Sequence, residues 1–500
     1  MNGRVERERK LEAPEAFSLA RLEPRLENYV ASPVSWKRLH TVYWDTDDLR
    51  LSRWGCSLRF RRGEGWTLKL PAPPHEGALY REEHEFPGDA QAPPREALAL
   101  ATAYLRGDTP HPVAELRTLR TIRHVQSEDG TDLAEVTEDD VRVVDGTNVV
   151  RRFRQIEIEL SDHAPDGVLD GVAQALRKAG AGPADLTAKN VAALGESARE
   201  PELPVAELTA DSPARELVCA ALATSVTRFI RSDAAMRLST DPEGVHQARV
   251  AVRRLRSDLR SFLPLLDTEW TGALRERLRP LGDVLGAARD ADVLLERLRR
   301  GAQAIPDADR RRIDEVLAPF AAERRRAYER VHAMLDGEAY VAILREMVEA
   351  AKNPRFSGLA ESPACDVLPQ IVSDAWRTLR KAVRKRGRPP ADRDLHRVRI
   401  KAKRVRYVAE AIADLGGKPL RRLARKVECL QAVLGDQHDA ALARDRLRHD
   451  AAAGENAFIA GELAAVEHGL SCEGRQNWKG VWRAAVRSRK RAGRALRALG

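Results

Sequence analysis

Glu6, Glu8 and Lys10 stand two apart in the run Glu6-Arg7-Glu8-Arg9-Lys10. In a strand, alternate side chains share a face, so these three point the same way, and Arg7 and Arg9 point outward as surface charge. Two carboxylates and an amine cannot build a hydrophobic core. They suit the wall of a polar cavity that holds cations and an anion together. The same spacing returns downstream. Residues 56–61 set Arg59 and Arg61 opposite Leu58 and Phe60, and residues 66–70 set Lys69 opposite Trp66, Leu68 and Leu70. Residues 80–86 group Arg81, Glu83 and Glu85, and residues 155–160 group Glu157 and Glu159 against Ile156, Ile158 and Leu160. One such strand alone reads as a sheet with a solvated face. Repetition changes the reading, because like charges on neighbouring pleats repel unless something bridges them. Carboxylate pairs take divalent cations, and arginine and lysine pairs take phosphate oxygens. Both on one closed inner surface describe a site for a metal–polyphosphate complex.

A second chemistry lies in the other half of the chain. On a helix, His246, Arg249, Arg253 and Arg256 fall within an arc of roughly 80°. His396, Arg399, Lys403 and Arg406 repeat the geometry 150 residues later, and Arg254, Lys401 and Arg404 extend the two motifs. A stripe of cations without interleaved acids repels itself, whereas solvated helices mix signs. Its occurrence twice points to an anionic ligand. The markers Leu285-Gly286…Asp290 and Leu434-Gly435…Asp439 recur at an offset of 149, which supports a duplicated helical bundle.

The elements that must carry these residues follow from texture. Residues 1–195 show period-two patterns broken by Gly, Pro and Asp turns, a β-rich signature. A Pro/Glu-rich stretch over 196–211 reads as a linker. From Ser212 the spacing turns helical, giving an all-α region over 212–500 with halves of about 212–355 and 356–500. Five hundred residues exceed one ordinary core, which agrees with separate domains. Charge divides likewise. Residues 1–200 hold 28 Lys+Arg against 34 Asp+Glu, a balance of −6, which leaves +16 of the overall +10 to the remainder. No stretch approaches the ~20 apolar residues of a membrane helix. A charged N-terminus without an apolar segment and five scattered cysteines with no CxxC pair lead us to expect a cytoplasmic chain with reduced thiols.

With these residues in view, 1–195 resembles a CYTH domain, the fold of the triphosphate tunnel metalloenzymes. Glu6, Glu8 and Lys10 match its ExExK. Tyr43-Trp44-Asp45-Thr46 through Gly55-Cys56-Ser57-Leu58-Arg59-Phe60-Arg61 matches a further signature. Lys69, Arg81/Glu83/Glu85, Glu157/Glu159 and Glu135…Asp139 resemble later strands, Arg120 and Arg123 the middle basic strand, and Lys189 the late lysine. The resemblance implies an eight-stranded antiparallel β tunnel that hydrolyses or cyclises a triphosphate with Mg2+ or Mn2+. Metal would fall to Glu6, Glu8, Glu135, Asp139, Glu157 and Glu159. Phosphate would fall to Lys10, Arg59, Arg61, Lys69, Arg81, Arg120, Arg123 and Lys189, and the catalytic roles to Lys10, Glu8, Glu83 and Glu85. Residues 212–500 resemble a CHAD domain, a duplicated helical module associated with inorganic polyphosphate. The ligand set would be His246, Arg249, Arg253, Arg254, Arg256, His396, Arg399, Lys401, Lys403, Arg404 and Arg406.

The fold class expected is therefore α+β multidomain, a CYTH barrel followed by an all-α CHAD bundle. The leading function is hydrolysis of inorganic triphosphate with polyphosphate binding in the cytoplasm, at polyphosphate granules. The alternatives are a non-catalytic polyphosphate binder, a triphosphatase for thiamine triphosphate or a nucleotide, and a nucleotide cyclase. Nucleic acid is disfavoured because few aromatics accompany the basic stripes.

Overall fold

The computed structural model describes the chain except residues 1–3, 22–24, 27–28, 72–78, 162, 186, 239–241, 306–309, 388, 451–455 and 498–500. For 4–6, 25–26, 79–80, 310–311 and 450 it describes the backbone alone. The chain divides into two units, Met1–Glu202 and Leu203–Gly500.

The first unit is built on antiparallel strands β1 (Arg4–Glu12), β2 (Arg25–Leu26), β3 (Tyr29–Ala31), β4 (Ser35–Asp45), β5 (Ser57–Arg61), β6 (Gly65–Pro71), β7 (Leu79–Phe86), β8 (His111–Gln126), β9 (Asp132–Asp145) and β10 (Asn148–Leu160). They run in the order β2-β3-β8-β4-β5-β6-β7-β1-β10-β9, and β9 pairs back onto β8. The eight strands from β8 to β9 thus close into a ring, which removes the exposed sheet edges.

Period-two alternation gives this ring two chemistries. The outward apolar set, Leu11, Val125, Val136, Ile156 and Ile158, packs under Val168, Val172 and Leu176 of the Val168–Lys178 helix. Leu58, Trp66 and Leu68 form a second buried outer patch, where Trp66 packs edge-on against Trp44 with ring centroids 5.3 Å apart. Trp44 is therefore a packing residue. The β5–β6 turn requires Gly65, whose φ is +93° and whose Cβ would meet the Phe86 carbonyl oxygen at 2.9 Å.

Residues 196–202, read as linker from sequence, belong to the barrel unit. The buried Glu202 carboxylate pairs with Arg106 at 2.7 Å and accepts from Trp54 Nε1 at 2.5 Å. Low hydrophobicity concealed this attachment, because an ion pair makes it.

The second unit is helical. The helices Ala214–Leu238, Pro242–Ser261, Thr268–Arg277, Arg279–Ala302, Arg310–Leu335 and Glu338–Lys352 form its first half. Ala364–Arg384, Asp392–Ala411, Ala413–Asp450 and Ala457–Arg497 form the second. The Ala413–Asp450 helix is broken at Gly417, where φ is 59°. No helix among the described residues is long and apolar enough to cross a membrane.

Candidate functional site

Strand register decides which side chains meet in the barrel lumen, since directly paired residues share a face. One row runs Glu8–Glu159–Glu135–His124 across β1, β10, β9 and β8. The next rows are Lys10–Glu157–Thr137–Ile122 and Glu12–Gln155–Asp139–Arg120–Lys37. On the opposite wall, Glu83–Lys69–Ser57 and Glu85–Thr67–Arg59–Tyr43 cross β7, β6, β5 and β4. Arg81 completes the ring opposite Glu6. The Glu6 side chain itself lies outside the described residues. The acids gather on β1, β9 and β10, and Arg59, Arg61 and Lys69 occupy β5 and β6.

The acidic wall is crossed by ion pairs. Lys10 Nζ lies 2.5 Å from Glu157 and 3.6 Å from Glu8, with Lys10 only 3% exposed. Burial works against its charge, yet Glu157 and Glu8 outweigh burial and raise its pKa. Arg120 forks onto Asp139 at 2.9 and 2.8 Å and reaches Glu157 at 3.3 Å. Lys189 pairs with Asp139 at 2.5 Å and also with Glu157. Burial pushes both carboxyls up, but Lys189 and Arg120 hold Asp139 below the usual range, and Lys10, Lys189 and Arg120 hold Glu157 well below it. Across the lumen, Arg59 and Lys69 each lie 3.4 Å from Glu83. Arg61 donates to Glu64 at 2.7 Å and to Thr41 at 3.2 Å.

Asp139 and Glu157, expected to hold metal, therefore spend their oxygens on cations. Of the remaining expected ligands with described side chains, Glu8, Glu135 and Glu159 share one row. No group of three or more His, Cys, Asp or Glu among the described residues is gathered as a metal cluster. The row nevertheless fits a cation. Glu8 Oε1 is buried without a hydrogen-bond partner among the described residues, an acceptor that a bound cation would satisfy.

Arg123 requires a correction. It sits three residues from Arg120 and so on the opposite face, across from Val136 in the buried outer layer. Glu85 is on the inner face but exposed.

Four features of the barrel had no role assigned from sequence. Tyr43 is buried there, and although burial raises its pKa, Arg59, Lys189, Arg61 and Lys10 together lower it. Asp45 is a buried hub that accepts from Thr46 N, Leu51 N, Ser52 N and Ser52 Oγ at 2.8–2.9 Å. It fixes the β4–β5 connection that aims Arg59 inward. Asn190 donates to Ser52 Oγ at 2.9 Å and so ties Lys189 to that connection. An apolar cluster of Tyr43, Leu116, Val141 and Val143, with Ala193 against it, fills part of the lumen.

In the helical unit, Pro242–Ser261 and Asp392–Ala411 present His246, Arg249, Arg253, His396, Arg399 and Lys403 to one cavity of about 640 Å3. Sequence reasoning gave no ligand role to Arg289, Arg297, Arg330, His438 and Arg446, which distant helices add. Equivalent glycines make room at both repeats. A Cβ on Gly286 would meet Arg249 Nε at 4.0 Å, and one on Gly435 would meet Arg399 Nε at 3.4 Å.

Acids are few here. Arg249 has Asp290 at 2.8 Å, and Arg253 donates to Tyr407 Oη at 2.9 Å. Burial, then Arg253, Arg399 and Arg249, bring Lys403 down to about 7. Burial and the neighbouring His438, whose ring centroid is 4.1 Å away, bring His396 down to about 4. Burial and Arg289 lower His246.

Arg254, Arg256, Lys401, Arg404 and Arg406 do not line this cavity. Arg254 turns to Glu410, Arg406 pairs with Glu410 and Glu428, and Arg256 lines an adjoining hollow. Arg254 and Arg404 follow Arg253 and Lys403 by one position, a rotation of about 100° that carries them off the stripe, whereas Arg256 and Arg406 stay on it but lie one turn beyond the cavity.

A closed antiparallel tunnel lined with paired charges, joined to a duplicated helical unit with a cationic cavity, defines the class. Residues 4–189 match the CYTH domain model and residues 220–448 the CHAD domain model. The chain belongs to the family of proteins that carry a CYTH domain followed by a CHAD domain. The uncharacterized protein Rv2226 of Mycobacterium tuberculosis H37Rv is 31% identical over 469 residues, 87% of each chain, and MT2285 of strain CDC 1551 matches equally. Among solved structures, PptA from Streptomyces chartreusis is 19% identical with a TM-score of 0.46, covering 54% of this chain and 100% of its own. The CHAD domain from the plant Ricinus communis is 25% identical with a TM-score of 0.47, covering 57% and 95%. CYTH proteins are metal-dependent hydrolases or cyclases, usually with Mg2+ or Mn2+.

Proposed function

We propose that the barrel hydrolyses inorganic triphosphate and that the helical cavity binds inorganic polyphosphate. The observation that carries this reading is the register of the lumen, which sets a row of carboxylates across from a wall of arginine and lysine inside one closed ring. Arg59, Arg61, Lys69, Arg81 and Arg120 are spaced to share the charge of a linear condensed phosphate, and their contacts strengthen as charge shifts onto the leaving diphosphate. Lys10, kept charged by Glu157 and Glu8, donates a hydrogen bond to a phosphate oxygen. Glu8, Glu159 and Glu135 would hold the metal, with Glu6 joining them by resemblance. When bound, Mg2+ or Mn2+ would neutralise phosphate oxygens and lower the pKa of a water. Glu83 or Glu85 would accept the proton of the water that attacks the terminal phosphorus, as the bridging P–O bond breaks and diphosphate leaves. A neighbouring module with cations to spare favours a purely inorganic chain over a nucleotide or thiamine ester.

The test is phosphate release from triphosphate, thiamine triphosphate, ATP and long polyphosphate, each with Mg2+ and with Mn2+. Triphosphate should turn over fastest. No release from a folded sample would remove the catalytic reading, and preference for ATP would replace the inorganic one.

A further inference from the structure

The two halves of the helical unit begin alike, Ser212-Pro213-Ala214 and Ser362-Pro363-Ala364. The two starts bond each other reciprocally, Ala214 N to Ser362 O and Ala364 N to Ser212 O, both at 2.9 Å. Residue n in the first half thus corresponds to n + 150 in the second, and the contact between Pro242–Ser261 and Asp392–Ala411 has two pseudo-equivalent ends.

The ends carry opposite electrostatics. At one, Arg254 donates to Glu410 at 3.2 Å, and Arg406 meets Glu410 at 2.6 Å and Glu428 at 3.0 Å. At the other, Arg404 stands where the duplication has Arg254, and Arg260 stands where it has Glu410. The acid is replaced by a base. Arg404 reaches Ser261 Oγ at 3.4 Å, while Arg260, Arg275, Lys401 and Arg404 make no ion pair among the described residues. Beyond the effect of burial, Arg260 lowers the basicity of Arg275, Lys401 and Arg404 together. The nearby acids, Asp374 by Arg404 and Glu276 by Arg275, do not reverse this.

Arg256 connects this cluster to the cavity. It is a neighbour of Arg275 and lines a second hollow of about 500 Å3, which shares Arg249, Arg253, Ala287 and Asp290 with the first and adds Asp283. Gly282 leaves space for it, since a Cβ there would meet its guanidinium at 3.3 Å. Its Nε is buried without a hydrogen-bond partner among the described residues, as is that of Arg275.

We propose that Arg260, Arg275, Lys401 and Arg404 form a second phosphate subsite, reached over Arg256, so that a long polyphosphate leaves the cavity at this end and not at the end closed by Glu410 and Glu428. The proposal rests on the polyphosphate reading of the cavity. It makes the pseudo-symmetric unit directional and makes chain length the property it selects.

The test uses the full chain and measures affinity for tripolyphosphate and for long-chain polyphosphate over a salt series. In Arg260→Gln with Lys401→Gln, affinity for the long chain should fall roughly tenfold. Its salt slope should shrink by about 1.4, at ~0.7 per lost contact. Affinity for tripolyphosphate should stay unchanged, and the ligand-free variant should melt no lower than the parent, because repulsion has been relieved. Long-chain affinity equal to the parent's would overturn the subsite, while a loss in Arg253→Ala in the same series would leave the cavity reading standing. A parent that binds no polyphosphate would overturn both. Displacement of polyphosphate by single-stranded oligothymidylate at equal phosphate concentration would overturn the choice of ligand.

Discussion

The barrel lumen and the helical cavity both collect cations, but they resolve the repulsion differently. In the lumen, Lys10, Arg120 and Lys189 are matched by Glu157 and Asp139, and the pKa values of Lys10 and Arg120 are raised despite burial. In the cavity, Arg249, Lys403, His246 and His396 are all lowered, by burial first and then by like charges. A pre-neutralised site gains little from a bare anion, because an incoming phosphate must displace carboxylates; it favours an anion that arrives with a cation for the acids. A site with positive charge in excess favours the bare anion. The contrast therefore predicts metal dependence in one unit and salt and pH dependence in the other.

The largest break should come from the acidic row. Glu8→Gln or Lys10→Ala should lower triphosphate turnover roughly a thousandfold. Polyphosphate affinity should be untouched, and steady-state phosphate release beside a binding titration reads both. Next, Arg253→Ala with Lys403→Ala should weaken polyphosphate binding by roughly a hundredfold and leave turnover alone.

A pH titration sharpens the comparison further. Lys403, ordinarily near 10.5, sits at about 7 and is neutral above that. A bound anion favours its charged form, so binding takes up a proton between pH 7 and the ordinary lysine value. Polyphosphate affinity should fall across that window by up to about tenfold per pH unit, and the slope should vanish in Lys403→Met. The facing His396, brought down to about 4, stays neutral across this range. In the ligand-free unit the sign reverses: the unfolded state binds the extra proton, so Lys403 makes stability rise with pH over the same window. The smallest effect on activity is expected at Arg123. Buried on the outer layer, it should lower Tm when changed to Ala while kcat is preserved.

The alternation of charge made the barrel legible, because a lumen imposes period two on every strand and an apolar outer layer imposes its complement. It misplaced Arg123 because basic character was read without parity. It could not show that Asp139 and Glu157 answer Arg120, Lys10 and Lys189, since these pairings join strands as distant as 147 residues. Nor did it mark Asp45 as the hub of the β4–β5 connection. In the helical unit, the stripe beginning at His246 was readable from its 3.6 periodicity. Which of its members face inward depends on where two helices cross, and that fixed Arg254 on Glu410 and opened the Arg260 end.

On the proposed function, triphosphate chemistry in the lumen should require a cation on the carboxylate row, whereas the helical cavity should take its anion directly. The full chain, stripped with a chelator, should release no phosphate from triphosphate yet bind long polyphosphate at full affinity, and Mg2+ or Mn2+ should restore release alone. Turnover that persists in the chelator, or binding that collapses with it, would contradict the account.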